Sequence, residues 1–245
     1  MLTIRRDQEI HREEGGWFSA RWHFSFDHYR DPDNDGFGAM RVFNDDRLVP
    51  GAVWPLHPHQ DVEGLTYVVE GSFRHEDSVG GAPGPLPPGA VQRMTLGSGA
   101  FHSEQNASKD EPMRFIQIWI LPDTPGLTPE VEQRVFTRED RAGRLLEVMG
   151  PGGGEAVRIH QDASVHVASL APGDRVVHPI GEGRGAYAYL IDGRASFDGE
   201  PAATGDAAKV TGQPSLTVAA EAPSELILVD VPLRFERVGV WAGYP

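Results

Sequence analysis

The chain has 245 residues, enough for one large or two small domains that each bury a core. Its formal charge is −14 and its basic residues are dispersed, which disfavours direct binding of DNA or RNA, where affinity comes from neutralising phosphates. With no cysteine the chain has no disulfide, thiolate nucleophile or iron–sulfur cluster, so a metal must be held by His, Asp or Glu.

The first residues, Met1-Leu2-Thr3-Ile4-Arg5-Arg6-Asp7, lack an apolar signal segment, and no later run approaches the roughly 20 apolar residues of a membrane span. A cytoplasmic protein without a membrane partner is expected. Abundant glycine and proline lie scattered between short apolar runs, as in an all-β protein. In chain order, the alternating aromatics Trp22, Phe24 and Phe26 read as core, and strands are expected at 41–43, 64–70 and 115–121, with a turn from Gly80 to Gly89. Thr128-Pro129-Glu130 has the form of a helix start, and the spacing predicts the one helix over 128–146, with a short strand at 135–137 as the alternative. After the flexible Gly150-Pro151-Gly152-Gly153-Gly154, strands are expected at 164–170, 186–191, 216–219 and 226–231.

The two halves repeat weakly. Val68-Val69-Glu70-Gly71 is matched by Leu190-Ile191-Asp192-Gly193, an apolar strand closing on acid-glycine, and two copies of one β-domain explain it. The division is expected between residues 1–140 and 141–245. Counting back from Gly193 as far as His57 and His59 lie before Gly71 reaches Pro179 and Gly181, which offer no ligand. His178 then falls on the opposite face. The C-terminal domain is therefore expected to carry no metal.

A strand sends alternate side chains to one face, so His57 and His59 point together, as do His102 and Glu104. Three imidazoles and a carboxylate suit a divalent first-row transition metal with room for water or substrate. Glu63 is the rival carboxylate, either as a ligand or as a group orienting a ligand histidine. Among the remaining histidines, His75 with Asp77-Ser78 reads as a turn anchor, while His11, His23, His28, His160, His166 and His178 lack a second ligand at fitting spacing and read as surface or satisfied core. Tyr67 and Met94 are candidates for a barrel mouth.

His57-x-His59-x-x-x-Glu63 ending at Gly71, and Gly97-x-Gly99-x-x-His102-x-x-x-Asn106, resemble the paired motifs of the cupin superfamily, small jelly-roll β-barrels. The longer string resembles the pirin family: His57-Pro58-His59-Gln60-Asp61-Val62-Glu63, Thr66-Tyr67, Glu70-Gly71, His75-x-Asp77-Ser78, Gln92-x-Met94-Thr95 and His102-Ser103-Glu104, with Trp22-His23-Phe24 and Gly36-Phe37-Gly38 upstream. The resemblance implies a bicupin, two jelly-roll β-barrels in tandem, with one metal in the N-terminal barrel held by His57, His59, His102 and Glu104. It implies Fe(II) as the expected ion, with Mn, Co, Ni, Cu or Zn as alternatives. It further implies a dioxygenase that opens a flavonol such as quercetin at C2–C3 with release of carbon monoxide, Glu104 acting as base. A metal-binding regulatory protein, or a cupin with another small substrate, is the alternative that the family allows. Asp61 stands where animal members have glycine, and Trp54-Pro55-Leu56 is bulkier than the family pattern, predicting a narrowed pocket.

Overall fold

The computed structural model describes residues 1–80 and 84–244, so residues 81–83 of the expected turn lie outside it. The first half carries β1 (Leu2–Arg5), β2 (His11–Glu14), β3 (Phe18–Trp22), β4 (Met40–Leu48), β5 (Val53–His59), β6 (Glu63–Glu70), β7 (Phe73–Asp77), β8 (Ala90–Thr95), β9 (Ala100–Asn106), β10 (Met113–Ile120) and β11 (Glu130–Val135). The second carries β12 (Leu146–Gly150), β13 (Val157–Arg158), β14 (Ser164–Leu170), β15 (Arg175–Pro179), β16 (Arg184–Asp192), β17 (Arg194–Phe197), β18 (Glu200–Ala203), β19 (Ala207–Thr211), β20 (Ser215–Ala220) and β21 (Ser224–Pro232). Among the described residues there are only short 3₁₀ turns and no α-helix. The all-β bicupin expectation holds.

Each half pairs a large sheet with a small one. In the first, β11-β8-β6-β10-β4-β3-β2 faces β5-β9-β7; in the second, β1-β19-β16-β21-β14-β12-β13 faces β15-β20-β17-β18. β1 thus leaves its own half and pairs antiparallel with β19, Ile4 opposite Ala208. The two large sheets pack against each other, which makes their strands apolar on both faces. Along β16, Tyr187, Tyr189 and Ile191 enter the core between the halves, and Ala186, Ala188 and Leu190 fill the second barrel. On β10, Ile116, Ile118 and Ile120 enter the same shared core. Arg114 crosses this interface, with Nε and Nη2 each 2.8 Å from the two oxygens of buried Asp45, which also accepts from the Tyr189 hydroxyl at 2.6 Å.

Three expectations are corrected. Residues 130–135 form strand β11, pairing with β8 from Glu130↔Thr95 to Val135↔Ala90, and residues 139–141 make only a 3₁₀ turn. The open edge of β8 offers hydrogen bonds that a short, proline-started helix could not replace, and Val131 packs beside Met94 and Leu96. Tyr67 is 1% exposed in the shared core, its hydroxyl donating to Glu225 at 2.5 Å, and Met94 is equally buried; neither lies at a mouth. His178 faces into the second barrel, where its Nε2 lies 2.6 Å from Asp230 Oδ2, while Pro179 is exposed. The repeat is therefore out of register by one residue there.

Candidate metal centre

Strands β5 and β9 pair antiparallel with His57 opposite His102 and His59 opposite Ala100, so one cross-strand register gathers three imidazoles. The ring centroids lie 4.4 Å (His57 to His102), 4.8 Å (His57 to His59) and 5.2 Å (His59 to His102) apart. One nitrogen from each comes within 4.8 Å of the other two. His57 Nδ1 donates to the Pro55 carbonyl at 2.8 Å, which leaves its Nε2 as a lone pair. Nε2 of His59 and Nε2 of His102 are buried with no hydrogen-bond partner. Buried polar atoms are normally satisfied, so these orphaned donors fit a metal ion.

Glu104 is outside that mutually close set. Its Oε1 lies 3.1 Å from His102 Nδ1. His75 reaches the same atom through its Nε2 at 3.3 Å, and Asp77 stands 3.2 Å behind His75 Nδ1. His75 is thus packed behind His102, and the turn is anchored instead by Asp77, which accepts from Val79 N at 2.8 Å. Burial favours the neutral form of three of these groups: it pushes His59 down to about 4 and His102 to about 2, with neighbouring imidazoles adding to both, and pushes Glu104 up to about 8. Neutral imidazole is the form that binds metal.

Two spaces meet at this cluster. A small inner chamber of about 40 Å³ is bounded by the histidines, Glu104, Asn44, Asp46 and Gln117. Asn44 Oδ1 and Asp46 Oδ1 face burial there without partners, and desolvation, helped by Asp45 and Glu104, holds the Asp46 carboxyl well above the usual carboxylate range. A larger cavity of about 610 Å³ opens outward between Trp22, Phe26, Trp54, Trp119, Trp241 and Tyr244, with His57 and His59 in its wall. Phe24 and Trp22 are buried as expected, Trp22 also bordering this cavity, while the half-buried Phe26 lines it: β3 ends at Trp22, and the Phe26↔Tyr29 bridge turns the chain over the opening. Trp54 lines both spaces.

The C-terminal tail supplies a wall that the motifs did not reveal. Asp61 stands in the left-handed region at φ 50°, where glycine is the easier residue, and its carboxylate accepts from Gly126 N at 2.7 Å and Val240 N at 3.1 Å. It pins the tail so that Trp241 and Tyr244 reach the cavity, and Tyr244 accepts from Arg41 at 3.1 Å. The only signal for this in the sequence is three aromatics, Phe235, Trp241 and Tyr244, in an otherwise polar ending. Glu63, the rival carboxylate, is fully buried elsewhere: it accepts from Thr95 Oγ1 at 2.8 Å and from His160 N and Nδ1 at 2.7 and 2.8 Å, joining the two halves. His23 is core as expected, its Nδ1 2.7 Å from the Tyr187 hydroxyl, but its buried Nε2 has no partner among the described residues.

Comparison with known proteins agrees with this architecture. The sequence profile of pirin matches residues 4–120, and that of the quercetinase C-terminal cupin domain matches residues 148–231. The quercetin 2,3-dioxygenase of Escherichia coli K12 is 35% identical over 233 residues, 95% of this chain and 99% of that protein. A pirin-like protein of Caulobacter vibrioides is 36% identical over 232 residues, covering 94% and 99%. The crystal structure of the Escherichia coli bacterial pirin YhhW in complex with nickel(II) superposes with a TM-score of 0.88 at 34% identity, covering 95% of this chain and 99% of that one. On near full-length identity and on fold, this chain belongs to the pirin family.

Proposed function

We propose that the protein is a metal-dependent flavonol dioxygenase, with His57, His59 and His102 holding one divalent transition-metal ion and Glu104 serving as fourth ligand and base. The observation that supports it is the pair of orphaned Nε2 atoms on His59 and His102, set beside His57 at the base of an aromatic cavity. N/O donors accept several metals; the family resemblance favours Fe(II), and the nickel(II) bound by the Escherichia coli pirin makes nickel the first alternative. Bound there, the ion would lower the pKa of a hydroxyl placed on it and supply the redox partner for dioxygen.

The chain's own residues do the rest. Trp54 and Trp119 border both spaces and hold a planar aromatic ring between them. Burial holds the Glu104 carboxyl in its neutral form in the metal-free protein; beside a bound divalent ion it would ionise, and as the carboxylate it would take the proton of the flavonol 3-hydroxyl. Asn44 and Asp46 line the inner chamber with polar groups, a space the size of one or two small molecules and too small for a flavonol ring. The net reaction takes up dioxygen, breaks the C2–C3 and C3–C4 bonds, expels C3 with the 3-hydroxyl oxygen as carbon monoxide and leaves the two atoms of dioxygen on C2 and C4 of the opened product. We place the domain division after residue 140 and the protein in the cytoplasm; among the described residues no helix is long and apolar enough to cross a membrane.

The test is oxygen uptake with quercetin by protein reconstituted with Fe(II) or Ni(II). Wild type should consume oxygen, His57→Ala should lose metal and turnover together, and Glu104→Gln should keep part of the metal and lose turnover. Undiminished uptake by metal-free His57→Ala would sink the mechanism.

A further inference from the structure

A second cluster of donors, His11, Glu13 and His28, borders the same large cavity through Glu13 and His28. β2 is the edge strand of its sheet, and its alternation places His11 and Glu13 on one face. The loop after β3 folds back at the Phe26↔Tyr29 bridge and brings His28 to them. Nε2 of His11 lies 3.2 Å from Glu13 Oε2, and Nε2 of His28 lies 3.1 Å from the same oxygen. Donors on a tetrahedral ion with metal–nitrogen bonds of about 2.0–2.1 Å stand roughly 3.3 Å apart, so the spacing already matches.

The surroundings fix these rings. His11 is stacked on Tyr29, with centroids 4.1 Å apart and planes 11° apart, and the His28 ring stands edge-on to Trp22 at 5.4 Å. Nδ1 of His28 is 3.2 Å from Asp27 Oδ2. A carboxylate behind a histidine sets the tautomer that leaves Nε2 as a lone pair, the arrangement found behind metal-binding histidines. That lone pair then faces the Glu13 carboxylate, and two electron-rich atoms at 3.1 Å need a positive charge between them. A proton is one solution, and the hydrogen bond to Asp27 accordingly raises the pKa of His28. One proton satisfies one imidazole; a divalent cation satisfies both imidazoles and the carboxylate at once.

We propose that His11, Glu13 and His28 form a second cation site, for a divalent ion of the zinc, nickel or copper class, at the rim of the cavity whose inner wall carries His57 and His59. His28 is largely exposed, so the ion exchanges freely with solvent, and Glu13, Asp27 and His28 all border the cavity. The open coordination positions of an ion held there face whatever oxygen-bearing group enters. The inference does not depend on the chemistry proposed for the inner histidines.

The experiment is equilibrium dialysis of metal-stripped protein against Zn²⁺ alone, with bound metal counted per chain. Wild type should take up two equivalents at micromolar Zn²⁺. His11→Ala/His28→Ala should retain one, His57→Ala/His102→Ala should retain one, and Glu13→Gln should hold its second equivalent at least tenfold more weakly than wild type. Loss of the inner equivalent alone bears on the proposed function and leaves this site standing. One equivalent in wild type that His11→Ala/His28→Ala retains, an uptake unchanged by that double variant, or an equivalent lost in it that binds wild type only at millimolar Zn²⁺ would overturn the site. If the inner double variant does not fold, wild type against the outer variant still decides.

Discussion

The two barrels share an architecture and differ in what occupies the middle. In the second barrel the inward positions of β14, β16 and β21 are Ala168, Leu170, Ala186, Ala188, Leu190, Leu226 and Leu228, and with Phe197, Leu216 and Val218 they fill the interior. Its polar residues gather at one end and satisfy each other: Asp230 takes His178 and Arg184, each at 2.6 Å, and His166 meets Ser164 at 3.0 Å. In the first barrel the inward residues include Asn44, Asp46, His57, His59, His102, Glu104 and Gln117, and several of their polar atoms have no partner in the chain. One barrel is completed by its own side chains. The other turns polar groups into an open chamber, where a ligand can reach them.

The comparison predicts an ordered set of effects. Truncating the filled barrel has the largest: Phe197→Ala, at a fully buried position, should cost about 3–5 kcal/mol in urea denaturation, yet leave metal uptake at the inner site intact. Metal should stabilise the hollow barrel, by about 2.7 kcal/mol at a free concentration a hundredfold above Kd, and His57→Ala should lose most of that gain in thermal melts. A metal-induced gain that His57→Ala leaves intact would place binding elsewhere.

The pH dependence of the metal-free protein comes next. Glu104 has its folded pKa raised from 4.5 to about 8, so between those values the folded state holds the extra proton and stability falls as pH rises. His59 is depressed from 6.5 to about 4, so the folded state lacks a proton that the unfolded state binds, and stability falls as pH drops below 6.5. Of these two, only Glu104 acts above pH 6.5: its contribution should fall by about 1–2 kcal/mol from pH 6.5 to 8, and Glu104→Gln should make the decline shallower by that amount. The smallest effect belongs to the cavity wall. Trp241→Ala should raise the KM for quercetin several-fold with little change in kcat, and an unchanged KM would show that the tail does not touch the substrate.

Much of this was legible because it rests on period-two alternation, which places His57 with His59 and His102 with Glu104 without knowledge of any partner strand. The structure brings the three imidazoles together as that alternation expects. What the alternation cannot show is register between distant strands, so His178 was assigned the wrong face. The 128–146 segment has helix-start chemistry, and only the unpaired edge of β8, assembled from elsewhere in the chain, makes it a strand. Tyr67 looked like a mouth residue because its large sheet was not known to be covered by a second one. His11 and His28 lacked partners in the local sequence, and it takes the fold-back at Phe26 to bring them to Glu13.

The exchanged ends of the chain give the site a place in time as well as space. β1 pairs with β19, and the tail beyond β21 returns to wall the cavity beside His57, so each half borrows a segment from the other end of the polypeptide. Closing so long a loop costs little more than closing one half its length, since the entropy grows only with the logarithm, but contacts this distant form late. During synthesis the ribosome releases the histidine-bearing strands well before Asp61 has a tail to hold or β1 has a neighbour. The histidine-bearing half therefore waits, as an open and unwalled barrel, until the segment beyond β21 emerges, and its outer cavity is finished only after both halves have been made.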